Sequence, residues 1–200
     1  MSRLEAALRD LADHLASLEA RFAVVGGLAI SARAEPRFTR DADICVSVGS
    51  DEEAERLVAS LRGHGLVVMS IIEQEATRRV AAVRLGHRAP EAADVPLDLL
   101  FASSGVEPEV VATADRLELF DGLVVPVATV PSLIALKILS RDDARRPQDQ
   151  VDLSVLRRLA TTAELERARA LLVLIGERGF GRGRDLLGAM DAFEREGSAG

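Results

Sequence analysis

Tryptophan and tyrosine are absent from this 200-residue chain, and it has only six phenylalanines. Proteins that hold single-stranded nucleic acid usually stack its bases on aromatic rings, so a base would here have to lie against Phe, Arg or an aliphatic wall. Cysteine is nearly absent too. Cys45 alone cannot form an internal disulfide, and its apolar surroundings near Asp43 read as those of a small buried hydrophobe, with a reactive thiol as the alternative. No apolar run reaches the ~20 residues that span a bilayer, and the N-terminus is charged and amphipathic instead of resembling a signal peptide. The expected compartment is therefore the cytoplasm, with no membrane partner. Excess positive charge is also missing. A formal charge of −7 argues against a broad phosphate-tracking surface, so any polynucleotide contact must be local. Lysine is the rarest cation: of 25 basic residues all but Lys137 are arginine. A lone lysine amid that bias fits a role for a compact point charge, such as meeting a phosphate, with chance retention as the alternative.

What is present is the balance of an ordinary folded protein, 48% apolar and 28% charged, with room for one or two domains. Leu4, Leu8, Leu11, Leu15 and Leu18 recur every three or four residues and predict an amphipathic helix over 2–19. The run 22–25 predicts a strand, closed by Gly26 and Gly27 and followed by a small-residue helix over 28–34. Further short apolar or β-branched runs predict strands at 41–48, 66–72, 80–85, 96–101, 117–120 and 123–127. Asp121-Gly122 between the last two is a hairpin signal. Ser50 followed by Asp51, Glu52 and Glu53 predicts a capped helix running to about Gly63, and 106–116 is weakly helical in pattern. Pro131 suits the first turn of a helix that carries Lys137, and helices are expected over 149–160, 162–177 and 182–194.

Three acids stand out. Asp41 and Asp43, at i and i+2 of a strand, project to the same side and offer converging carboxylates of the kind magnesium prefers; taken alone, Asp-x-Asp reads better as the solvated end of a strand. Asp98 lies inside the apolar run 96–101, where an unpaired carboxylate would be costly, so either metal coordination or a salt bridge to an arginine must compensate it. The Gly26-Gly27 turn ahead of a helix would let a backbone approach phosphate, or is simply a tight turn.

The stretch Gly26-Gly27-Leu28-Ala29, followed by Arg37-Phe38-Thr39-Arg40-Asp41-Ala42-Asp43, resembles the signature of minimal nucleotidyltransferases of the DNA polymerase β superfamily. It looks most like the AbiEii-type abortive-infection toxins. The likeness extends through Asp98 to Lys137 and to Arg146-Pro147-Gln148-Asp149-Gln150-Val151-Asp152. It implies a nucleotidyltransferase-like α/β (α+β) fold, a mixed sheet flanked by helices: a catalytic domain over 1–128 and a C-terminal helical region over 129–200.

It further implies a magnesium-dependent transfer of a nucleoside monophosphate from a nucleoside triphosphate to an acceptor hydroxyl on tRNA, a protein or a small molecule, possible also with manganese. Asp41, Asp43 and Asp98 would be the catalytic acids and hold two metal ions. Gly26, Gly27, Thr39, Arg37, Lys137 and Arg146 would bind the nucleotide. A cognate antitoxin or other partner protein is implied as well. Asp149 and Asp152 could orient Lys137 or Arg146, or merely cap and solvate a helix start, a reading at least as good for Asp149. His14, His64 and His87 fit no ligand spacing and read as structural or surface residues. The competing readings are a nucleotidyltransferase-like binding module, acting as antitoxin or scaffold, and a nucleotide sensor without turnover.

Overall fold

A computed structural model describes residues 1–34, 39–74, 77–92, 94–142 and 147–196. The chain opens with α1 (Arg3–Ser17), whose first turn is closed by a reciprocal pair: Ser2 Oγ accepts from the Glu5 amide and the Glu5 carboxylate accepts from the Ser2 amide. Leu8, Leu11 and Leu15 of the leucine stripe are wholly buried, each contributing about 1.5–3 kcal/mol of hydrophobic stabilisation. Strand β1 (Arg21–Val25) then runs directly into α2 (Gly26–Arg33). After β2 (Ala42–Ser47) comes α3 (Asp51–Gly63), capped by Ser50 as the sequence predicts. A long hairpin of β3 (Leu66–Gln74) and β4 (Arg79–His87) leads to β5 (Leu97–Leu100), the short α4 (Glu107–Ala112), β6 (Asp115–Phe120) and β7 (Leu123–Val127). The remainder is helical: α5 (Val130–Ser140), α6 (Gln148–Leu159), α7 (Thr162–Glu177) and α8 (Leu186–Glu196).

The seven strands form one sheet in the order β3-β4-β5-β2-β1-β7-β6. It is mixed: β2 pairs with β5, and β1 with β7, in parallel, while the other neighbours are antiparallel. The fold is thus a mixed α/β sheet flanked by helices. Each strand overlaps a predicted run, and Asp121-Gly122 makes the β6–β7 turn with Gly122 at φ +70°. One expectation is corrected. The helical pattern over 106–116 ends at Ala112, because Asp115 and Arg116 are recruited to β6, where they pair with Val127 and Pro126; cross-strand pairing overrides a weak local preference there.

Helix α2 is anchored at its far end. Arg33 donates to the carbonyls of Ala128 (2.6 Å) and Val127 (3.0 Å) and to Asp115 (2.8 Å), tying α2 to the junction of β7 and α5. Helix α5, almost entirely apolar apart from Lys137, packs against α2, α6, α7 and α8. No helix among the described residues is long and apolar enough to cross a membrane.

Candidate active site

The register of four adjacent strands puts Arg84 of β4, Asp98 of β5, Asp43 of β2 and Val25 of β1 side by side. Directly paired residues project to the same face of a sheet, so this is a single cross-strand row with two carboxylates at its centre. Asp41, two residues before Asp43 and just outside the strand, is exposed at the row's margin.

Asp43 is partly buried. Its carboxyl is raised from an ordinary value of 3.8 to about 6, first by loss of water around it, then by the charges of Asp41 and Asp98; Lys137 and Arg84 offset part of this. The three acids therefore lie in one another's field, under-compensated. Hard oxygen donors with surplus negative charge suit a small divalent cation, and in this respect the residues fit magnesium. Asp98 is differently placed: Arg84 grips both its oxygens, Nε to Oδ1 at 2.8 Å and Nη2 to Oδ2 at 2.6 Å. Among the described residues, no three of His, Cys, Asp or Glu are arranged to close around one ion.

Gly26 has two reasons to be glycine. Its φ is +64°, and a Cβ there would overlap the Asp43 carboxylate. The strand thus turns into α2 over the acid, with Gly26 and Gly27 in the first turn of a helix that no side chain caps. Gly26→Ala is expected to cost at least about 2 kcal/mol, since left-handed backbone and overlap add. Urea denaturation measures it, and an unchanged midpoint would refute the close approach.

Lys137 of α5 reaches between two carboxylates of α6, its Nζ lying 3.0 Å from Asp149 Oδ1 and 3.0 Å from Asp152 Oδ2. Both acids are buried, 3% and 1% exposed, and Asp149 also accepts from the Asp142 amide. The capping alternative for Asp149 is corrected: Pro147 occupies the N-cap, and Asp149 lies inside the helix holding the lysine. Thr39 is half-buried two residues ahead of Asp41. Arg37 and Arg146, both expected to bind nucleotide, lie outside the described residues.

The family described as nucleotidyl transferase AbiEii toxin, type IV TA system, matches residues 9–196. The chain belongs to that AbiEii family. It is accordingly a nucleotidyltransferase. No curated protein matches it. Among solved structures, an antigenic nucleotidyltransferase-like protein from Paracoccidioides brasiliensis shares the fold at TM-score 0.54 and 22% identity, over 95% of this chain and 93% of its own. The antibiotic-resistance factor ANT(2'')-Ia does so at TM-score 0.55 and 17% identity, over 96% of each chain. A crystal structure of ANT(2'')-Ia with adenylyl-2''-tobramycin gives TM-score 0.52 and 18% identity, over 86% of this chain and 95% of that one. At such identities the likeness is one of fold.

Sequence reasoning had not named Arg84 in this AbiEii-family chain. Its signal is a single arginine inside the apolar run 80–85, which becomes meaningful only once β4 is known to pair with β5. Glu107 went unnoticed too. It is a buried carboxylate that accepts from the amides of Ser103 (2.8 Å) and Ser104 (2.6 Å) and from Ser104 Oγ (2.8 Å), bracing the turn after β5. Cys45 is buried, and loss of water pushes its thiol well above the ordinary range, as suits an inert hydrophobe. Two of the three histidines flank one carboxylate, His87 Nε2 at 2.7 Å and His14 Nδ1 at 3.3 Å from Asp10 Oδ2, and the His14 and His64 rings touch with centroids 4.4 Å apart. Two concavities, of about 300 and 550 Å³, lie by Arg21 at the opposite end of β1 from Gly26, away from the acids.

Proposed function

We propose that this nucleotidyltransferase transfers a nucleoside monophosphate from a nucleoside triphosphate to an acceptor hydroxyl, with Asp41, Asp43 and Asp98 as its catalytic acids and metal ligands. The cross-strand row that sets Asp43 beside Asp98, with Gly26 pressed against the Asp43 carboxylate, is the observation that carries this reading. When bound, two magnesium ions, or manganese in their place, supply neutralisation of the triphosphate and of the attacking and leaving oxygens. The first turn of α2, with Gly26 and Gly27, offers backbone amides and the positive end of a helix to phosphate, and Thr39 stands close in sequence to the acids. Lys137, held on α5 and felt at Asp43, presents a fixed cation to the β and γ phosphates; Arg37 and Arg146 add guanidinium groups. The acceptor oxygen bonds to the α-phosphorus as the bond to pyrophosphate breaks, and its proton passes to the Asp98 carboxylate. Most of the rate gain is then positioning and charge neutralisation.

In this reading residues 1–128 form the catalytic domain and 129–200 a helical region that lends it Lys137. The family description supports a toxin whose partner is an antitoxin protein. The acceptor is tRNA, a protein or a small molecule; the tobramycin adduct in the ANT(2'')-Ia structure makes the last a specific case to include.

The test is incubation with magnesium, each α-labelled nucleoside triphosphate and a cell extract, followed by separation of RNA, protein and small molecules. Label in one fraction, lost in Asp41→Asn, is expected. No label in any fraction with any of the four triphosphates would leave a binding module or nucleotide sensor in its place.

A further inference from the structure

We propose that Arg84 is a counter-cation built into the acid site: it occupies both oxygens of Asp98 until a nucleotide enters, then exchanges the carboxylate for the triphosphate. The proposal rests on the reading of Asp41, Asp43 and Asp98 as metal ligands.

The geometry carries the first half. Arg84 and Asp98 are directly opposed on β4 and β5, and their contact is a two-pronged, charge-assisted pair at 2.8 and 2.6 Å, the strongest form of side-chain hydrogen bonding. A carboxylate so held has a strong donor on each of its oxygens, which any cation approaching Asp98 must compete with. The guanidinium also acts on Asp41 and Asp43 through its field. Arg84 is thus paired directly with one of the acids, Asp98, whereas Lys137 is engaged by Asp149 and Asp152.

Freedom to move carries the second half. The Arg84 side chain is 48% exposed while its partner Asp98 is 14% exposed, so the arginine can swing outward and the acid cannot follow. A guanidinium that leaves one anion is held best by another of matching fork geometry, and phosphate oxygens supply it. A divalent cation arriving alone offers Arg84 no new anion, whereas one arriving with a triphosphate does. Arg84 therefore makes metal binding conditional on nucleotide, and acts on metal affinity as a positioning residue through Asp98.

The experiment titrates Mn2+ into the full-length protein without nucleotide and follows the free ion by electron paramagnetic resonance. Arg84→Gln is expected to bind Mn2+ about tenfold more tightly than the parent, the scale of one charge-assisted hydrogen bond no longer competing. Its affinity for a non-hydrolysable triphosphate in the presence of Mn2+ should fall in parallel. Unchanged or weaker Mn2+ binding in Arg84→Gln, with binding still lost in Asp41→Asn, overturns the role of Arg84 and leaves the metal site intact. Binding unaffected by both Asp41→Asn and Asp43→Asn overturns the metal site itself, and this proposal with it. Should Arg84→Gln fail to fold, Arg84→Lys keeps the charge but loses the two-pronged grip; tighter Mn2+ binding supports the proposal, and an unchanged affinity rejects it.

Discussion

Asp43→Asn is expected to reduce nucleotidyl transfer by roughly 10³-fold or more, on the scale of losing one preorganised electrostatic contact to a transition state, while making the metal-free protein more stable at neutral pH. The second half follows from the raised carboxyl. A folded-state pKa of about 6 against an ordinary 3.8 means that the folded chain binds the proton more tightly than the unfolded one. Below about pH 4 the group has no effect on stability. Between about 4 and 6 the penalty grows, and above 6 it is complete, up to roughly 3 kcal/mol at one pKa unit per 1.4 kcal/mol. The parent should therefore lose stability through this group as pH rises from 4 to 6, and Asp43→Asn should flatten that slope. Thermal denaturation at pH 5 and pH 7.5, with chelator present, measures both. An Asn variant less stable than the parent at pH 7.5 would show that Asp43 serves the fold, not the chemistry. Such a conflict between stability and function marks a site organised for a ligand's charge.

Lys137→Met should have the largest cost to the fold. It removes the shared cation of Asp149 and Asp152, whose side chains are 4% and 2% exposed, and leaves two buried carboxylates facing each other. Breaking a buried pair in this way typically costs about 3–5 kcal/mol. Urea denaturation is the measure. Adding Asp149→Asn and Asp152→Asn to Lys137→Met should restore most of the loss, because neutral amides tolerate burial far better than charges that have lost a cation. The triple variant should remain inactive if Lys137 meets the triphosphate. Recovery of transfer along with stability would confine the lysine to a structural part. Lys137→Arg is a sharper probe in a chain that otherwise uses arginine. A planar fork cannot reproduce the geometry of a compact charge 3.0 Å from each of two acids, so a loss of stability is expected there too.

The strands and most helices were legible because their signals are local. Apolar or β-branched runs bounded by turn residues mark β1 to β7, and a leucine stripe marks α1. The failures have a common cause in pairing between distant segments. Asp115 and Arg116 follow a helical pattern yet join a strand because Val127 and Pro126 lie alongside. Asp149 resembles a cap yet is drawn into the interior by a lysine on the preceding helix. Of the candidate site, the acids and glycines could be picked out by residue type and spacing, whereas Arg84 could not. Nothing in the run 80–85 says which residue of which strand it will oppose; that depends on β5 lying between β4 and β2.

The same non-local assembly bears on when a growing chain could first act. The row across the sheet draws on β1, β2, β4 and β5, and the lysine whose charge reaches Asp43 comes from α5 and is held by Asp149 and Asp152 of α6. A nascent polypeptide still lacking Gln148–Leu159 carries the acids but an unsupported lysine. During translation Lys137 therefore cannot be held as the folded chain holds it until α6 has emerged, well after every strand of the row has been made.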